Sequence, residues 1–165
     1  MNISYLHASK YGNGAAVAAE FKIRMALRGV AVDVHHIREV KPAELSPADL
    51  YVFSSPGRMG QPIRGMRRFL KKVSLPAGTP YAVLTTEMAP KPDKKTGLMP
   101  TGDEPCGPQR VRPIMNDLLQ RKGLAHVADA TVHVIGLKGP LEEGWQDKVE
   151  AFADCIAASV AEPVV

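Results

Sequence analysis

The chain has 165 residues, of which 45% are apolar, and its 21 Lys or Arg against 17 Asp or Glu leave a formal net charge of +4. That length and composition suit one globular domain spanning 1–165 and argue against disordered or fibrous classes. No apolar run approaches the ~20 residues of a membrane-spanning helix, and the N-terminus lacks the order of a secretory signal, so a cytoplasmic protein is expected.

The first predicted element lies in "SYLHASKYGNGAAVAAEF", residues 4–21, where a short apolar run meets a hydroxyl and glycine cluster and gives way to an alanine-rich segment. Val17, Ala18, Phe21 and Met25 keep helical spacing there, and Gly29 stands just past the end as a stop. Further β-branched or aromatic runs follow: "VAVDVHHI" (30–37), "DLYVFSS" (49–55), "PYAVLTT" (80–86) and "ATVHVIGL" (130–137). Each is bounded by Gly, Pro or Asp, which is how strands read.

Between strands two and three, "REVKPAELSPA" leaves room only for a turn or two of helix around 42–45. A helix follows strand three, with Ile63, Met66, Leu70 and Val73 on its apolar stripe. Another carries Val111, Ile114, Met115, Leu118 and Leu119 and ends at Lys122-Gly123. The C-terminal stripe is Trp145, Val149, Phe152, Ile156 and Val160. Strands alternating with helices imply parallel pairing through right-handed crossovers, hence an α/β fold with its sheet covered on both faces. Residues 87–108, with five prolines and three glycines and no periodicity, are expected to be a long loop or lid after strand four.

In such sheets ligands bind beyond the carboxyl ends of the strands. "HASKYGNG" there has the chemistry of an anion cradle: a hydroxyl at Ser9, glycines permitting close backbone approach, and a helix start with outward N–H groups. The pattern GxxxxGK[ST] is absent, and GxGxxG fails because Val17 stands where its third glycine belongs. A phospho-acceptor domain would want an acid at the end of strand three, where Ser54 and Ser55 stand.

"SKYGNG" after strand one, together with "SSPGRMGQP" after strand three, resembles the flavodoxin-like family, in particular its compact single-domain flavodoxins and flavin reductases. The resemblance implies a three-layer α/β/α sandwich with a five-stranded parallel sheet in order 2-1-3-4-5, and FMN at the switch point. It implies that Ser9, Lys10, Tyr11, Gly12, Asn13 and Gly14 surround the FMN phosphate. Ser55, Pro56, Gly57, Arg58, Met59 and Gly60 would line the flavin ring, with Thr85, Thr86 and Glu87 meeting its pyrimidine edge. The family usually has hydroxyl residues where Tyr11 and Gly14 stand, and generally stacks an aromatic on the ring, which the two glycine loops do not supply apart from Tyr11.

The resemblance further implies electron transfer or a small flavin-dependent reductase activity, with a flavodoxin-fold binding module that has lost FMN as the alternative. Family members are typically acidic, whereas Lys10, Arg58, Lys91, Lys94 and Lys95 ring this site, so an acidic redox partner or an anionic small-molecule acceptor is expected. The helical cluster Arg64, Arg67, Arg68, Lys71 and Lys72 reads as a solvated face; without interleaved aromatics or a recognition helix it argues against a nucleic-acid partner. Cys106 and Cys155, far apart and without CxxC spacing, read as free thiols, and no metal is assigned. His7 and His35 are expected to approach each other across strands one and two.

Overall fold

A computed structural model of the chain describes residues 1–89, 94–98, 110–136 and 138–161. Six strands and four helices follow in chain order: β1 (Asn2–His7), α1 (Asn13–Ala26), β2 (Ala31–His36), β3 (Leu50–Arg58), β4 (Gln61–Pro62), α2 (Arg64–Lys72), β5 (Pro80–Met88), α3 (Val111–Gln120), β6 (Ala125–Val134) and α4 (Trp145–Ala161). The sheet runs β2-β1-β3-β5-β6, all parallel, with the two-residue β4 folded antiparallel onto β3. Leaving β4 aside, this is the expected 2-1-3-4-5 order. Two short 3-10 turns, Ile37–Glu39 and Pro42–Glu44, fill the connection in which a turn or two of helix was expected.

Side-chain alternation along the strands divides the core between the two faces of the sheet. Ile3, Tyr5, Val52 and Leu84 pack with Val17, Phe21 and Met25 of α1 and Phe152 and Ile156 of α4. Leu6, Phe53 and Val83 point the other way, onto Met66 and Leu70 of α2 and Met115 and Leu119 of α3. The stripes read from spacing are therefore core or packed against it, except that Ile114 is half-buried outside both clusters and Val160 at the end of its stripe is exposed.

Helices α1 and α3 stop in the same way. Gly29 and Gly123 adopt φ of 73° and 80°, and the following amides, Val30 N and Leu124 N, donate back to Met25 O and Leu119 O. This Schellman closure needs a left-handed residue, which glycine supplies without a Cβ penalty. The chain then enters β2 or β6 within a residue or two.

Two strand boundaries differ from the sequence reading. β3 runs past Ser55 to Arg58, then turns through Met59 and Gly60 (φ 53° and 76°) into β4, so "SSPGRMGQP" is a hairpin with a two-residue turn rather than an open loop. β6 begins at Ala125, five residues earlier than the apolar run, because pairing with Pro80 and Tyr81 extends the ladder through polar positions. Most of the expected lid, together with Lys91 and Cys106, lies outside the described residues; Cys155 is a free, exposed thiol.

Candidate functional site

The carboxyl ends of β1 and β3 lie side by side, with His7 opposite Ser54, and the ladder continues one bond further as Ala8 N donates to Ser54 O at 3.1 Å. The chain leaves the sheet at Ser9. Two imidazoles grip that peptide: Ser9 N donates to His7 Nδ1 at 3.3 Å, and Ser9 O lies 3.2 Å from His36 Nε2. His36 Nδ1 already accepts from Arg38 N at 3.1 Å, so the proton sits on Nε2 and is donated to Ser9 O.

The rings of His7 and His36 meet edge to face with centroids 5.2 Å apart. His36, not His35, thus faces His7, because β2 pairs with β1 from Ala31 opposite Asn2, which carries the register to His36 opposite His7. Burial is the main cause that pushes the His7 pKa below the ordinary imidazole value. Neutral His7 is the form that can accept from Ser9.

Beyond Ser9 the loop turns on Gly12, whose φ of 89° is left-handed and whose missing Cβ would meet nothing within 4 Å. Ser9 Oγ accepts from Gly12 N at 3.1 Å, leaving its own proton to donate. Gly12 is the N-cap of α1, which has no side-chain cap and no acid in its first turn. Ala16 N is the first helical donor to find a partner, in Gly12 O. Among the described residues the amides of Asn13, Gly14 and Ala15 have no protein acceptor, so the helix start presents them together with its positive dipole.

The remaining loop residues brace this start. Gly14 is pressed so closely on Ser9 that a Cβ would lie 3.2 Å from the serine Cβ. Asn13 Nδ2 donates to Lys138 O at 3.2 Å, which ties α1 to the segment after β6. The Tyr11 ring is half-exposed, with the ammonium groups of Lys10 and Lys138 over it at 5.4 and 5.7 Å.

The β3–β4 hairpin stands beside this loop. Met59 at its tip is 94% exposed in a left-handed conformation. At its base Ser55 is buried; its hydroxyl donates to Pro56 O and accepts from Ile63 N, so it serves the hairpin itself. Gly57 abuts the start of α3 and β5 so tightly that a Cβ would lie 2.8 Å from Val111 Cγ2 and 3.2 Å from Glu87 Cγ.

Thr85, Thr86 and Glu87 are buried at the end of β5. The Thr85 hydroxyl is used between Glu87 Oε2 and Thr131 Oγ1. Glu87 Oε1 has no partner, and burial raises the Glu87 pKa against the opposing pull of the Thr131 and Thr85 hydroxyls and the Arg112 charge. A groove of about 690 Å³ opens between Ser9–Lys10, the turn after β2, the hairpin and the first turn of α2.

No protein-family model matches the sequence, and no curated protein does. Solved structures do match. Oxidised flavodoxin 2 from Bacillus cereus superposes with a TM-score of 0.74 over 96% of this chain and 99% of its own, at 18% identity. A flavodoxin from the domain Archaea gives 0.71 over 98% and 100%, at 16% identity. The chain has the flavodoxin-like fold.

The same flavodoxin-like fold accounts for 36% of rubredoxin oxygen:oxidoreductase from Desulfovibrio gigas, which matches 97% of this chain with a TM-score of 0.68 at 11% identity. Within it, the twelve candidates from the first two loops cluster at the carboxyl ends of β1 and β3, whereas Thr85, Thr86 and Glu87 are turned into the sheet interior. Sequence reading missed His7 and His36 as supports of the first loop. A histidine two residues before Ser9 was a usable local signal; His36 depended on register.

Proposed function

We propose that this chain is a cytoplasmic FMN-binding redox protein of flavodoxin-like fold, acting as one domain that passes electrons to or from an acidic partner or an anionic small molecule. The observation carrying this reading is the uncapped start of α1, with Gly12 at φ 89° and Ser9 beside it. A dianionic phosphate fits there: among the described residues the amides of Asn13, Gly14 and Ala15 have no protein acceptor, the Ser9 hydroxyl has a proton to give, and Lys10 brings positive charge. Bound FMN would supply the electron chemistry itself.

The chain's own residues would then divide the work. Asn13 and Gly14 offer backbone amides to the phosphate, Gly12 supplies the left-handed turn that aims them while its own N–H goes to Ser9 Oγ, and His7 and His36 hold the Ser9 peptide so that these amides keep their direction. Tyr11, flanked by Lys10 and Lys138, adds a cationic rim. Pro56, Arg58, Met59 and Gly60 border the ring from the hairpin, and Ser55 and Gly57 shape that hairpin from inside. Thr85, Thr86 and Glu87 back it by packing, with Glu87 against Gly57.

The test is titration of the apoprotein with FMN and with riboflavin, followed by flavin fluorescence and visible absorbance. FMN is expected to bind about a hundredfold more tightly, the worth of roughly two charge-assisted hydrogen bonds to phosphate, and Gly12→Asp should erase that preference. Equal binding of both, or of neither, would sink the reading. It would favour instead a module that has lost FMN, for which Tyr11 and Gly14, standing where the family usually has other hydroxyl residues, and the missing stacking aromatics are the supporting features.

A further inference from the structure

The groove beside the hairpin carries a charge pattern that a phosphate cradle at α1 does not require. Lys10, Arg38, Arg58, Arg64 and Arg67 line it, and no Asp or Glu does. Among the described residues none of these five is in an ion pair, whereas Arg24, Arg28, Arg112 and Arg121 elsewhere each have a carboxylate partner. Arg67 Nε is buried without a hydrogen-bond partner. Helix α2 begins at Arg64 with no side-chain cap and no acid in its first turn, so its dipole adds to the same field.

Convergent unpaired cations around a concavity repel one another, and a buried guanidinium nitrogen without an acceptor is disfavoured; an anion in the groove relieves both. Ile37, Met59, Pro62 and Ile63 form an apolar part of the remaining wall, beside the polar Ser9, His36 and Gln61. A volume of about 690 Å³ is that of a small-molecule site. We infer that the groove is a second anion site, taking a small organic phosphate of the nucleoside-diphosphate class. The arginines meet its two or more negative charges, and the apolar wall meets its flat body.

This site does not depend on FMN binding, although Ser9, Lys10, Arg58 and Met59 border both places. Its occupant would therefore lie beside the flavin candidate. Arg64 and Arg67 belong to the groove alone, which separates the two experimentally.

The test is calorimetric titration with ADP, inorganic pyrophosphate and adenosine, on the wild type, on Arg64→Ala/Arg67→Ala, and on Gly12→Asp. ADP and pyrophosphate are expected to bind and adenosine not. The double variant should weaken ADP at least tenfold while changing FMN affinity less than threefold, and Gly12→Asp should leave ADP within threefold. Absence of ADP binding, ADP affinity unchanged in the double variant, or ADP lost to Gly12→Asp would overturn the inference, the last by putting the anion at α1. Amide chemical-shift mapping of ADP on the wild type serves even if the double variant folds poorly: shifts at Ile37, Gly65 and Arg67 support the groove, and shifts confined to residues 12–14 refute it. FMN failing to bind while ADP still depends on Arg64 and Arg67 would sink the flavin reading alone.

Discussion

Glu87 is a buried carboxylate whose burial is only partly compensated. Its side chain lies at the end of β5 with one oxygen bonded to Thr85 and the other unpartnered, and desolvation raises its pKa. Between the ordinary carboxylate value and that raised value the native chain keeps a proton that the unfolded chain has released. Stability attributable to Glu87 is therefore intact below about pH 4.5, falls as pH rises through this window, and stays reduced above it. Glu87→Gln should accordingly raise stability at pH 8 and leave it unchanged near pH 4. Thermal melts of both proteins at the two pH values check this; a Tm gain of equal size at both would show that charge burial is not the cause.

At the scale of elements, the hairpin is held where it is by a glycine. A Cβ on Gly57 would fall 2.8 Å from Val111 Cγ2, and valine cannot rotate away cheaply because its χ1 is restricted in a helix. Gly57→Ala should therefore push the start of α3 from β3 and cost about 1–3 kcal/mol, the usual range for overpacking. Urea denaturation measures the loss. A neutral result would mean that the hairpin yields instead, and FMN and ADP affinities measured on the same variant would then report the displacement. Gly57 reads in sequence as one more turn glycine; the close approach that demands it comes from residues 30 and 54 positions away.

For the molecule as a whole, the sheet is clamped by one cluster on each face, and Phe21 is the centre of the α1–α4 side. Its ring lies 5.3 Å from Tyr5 of β1 and 5.5 Å from Phe152 of α4, with no exposure. Phe21→Ala should cost about 3–5 kcal/mol, combining the lost transfer energy with a cavity that three elements cannot jointly close. Arg28, bonded to Glu150 and Asp154, joins the same two helices at the surface, where such pairs contribute far less than the ring. Chemical denaturation of Phe21→Ala beside Arg28→Ala would reverse this ranking if the arginine variant lost more.

The strand order was implied by the resemblance of the two glycine loops to the flavodoxin-like family, whereas sequence by itself determined the layered α/β architecture and the apolar stripes. Those features are local periodicities, and glycine stops such as Gly29 and Gly123 mark their ends within the same short windows. It also picked out Ser9 to Gly14 as an anion cradle, since a hydroxyl, two glycines and a helix start lie within six residues. Tertiary structure alone decided that His36 rather than His35 faces His7, because register is a relation between strands. It alone turned Thr85 to Glu87 into the interior, and brought Lys10 and Arg38 from distant segments to the groove bordered by Arg58, Arg64 and Arg67, where these charges feel neighbours that no short window of sequence contains.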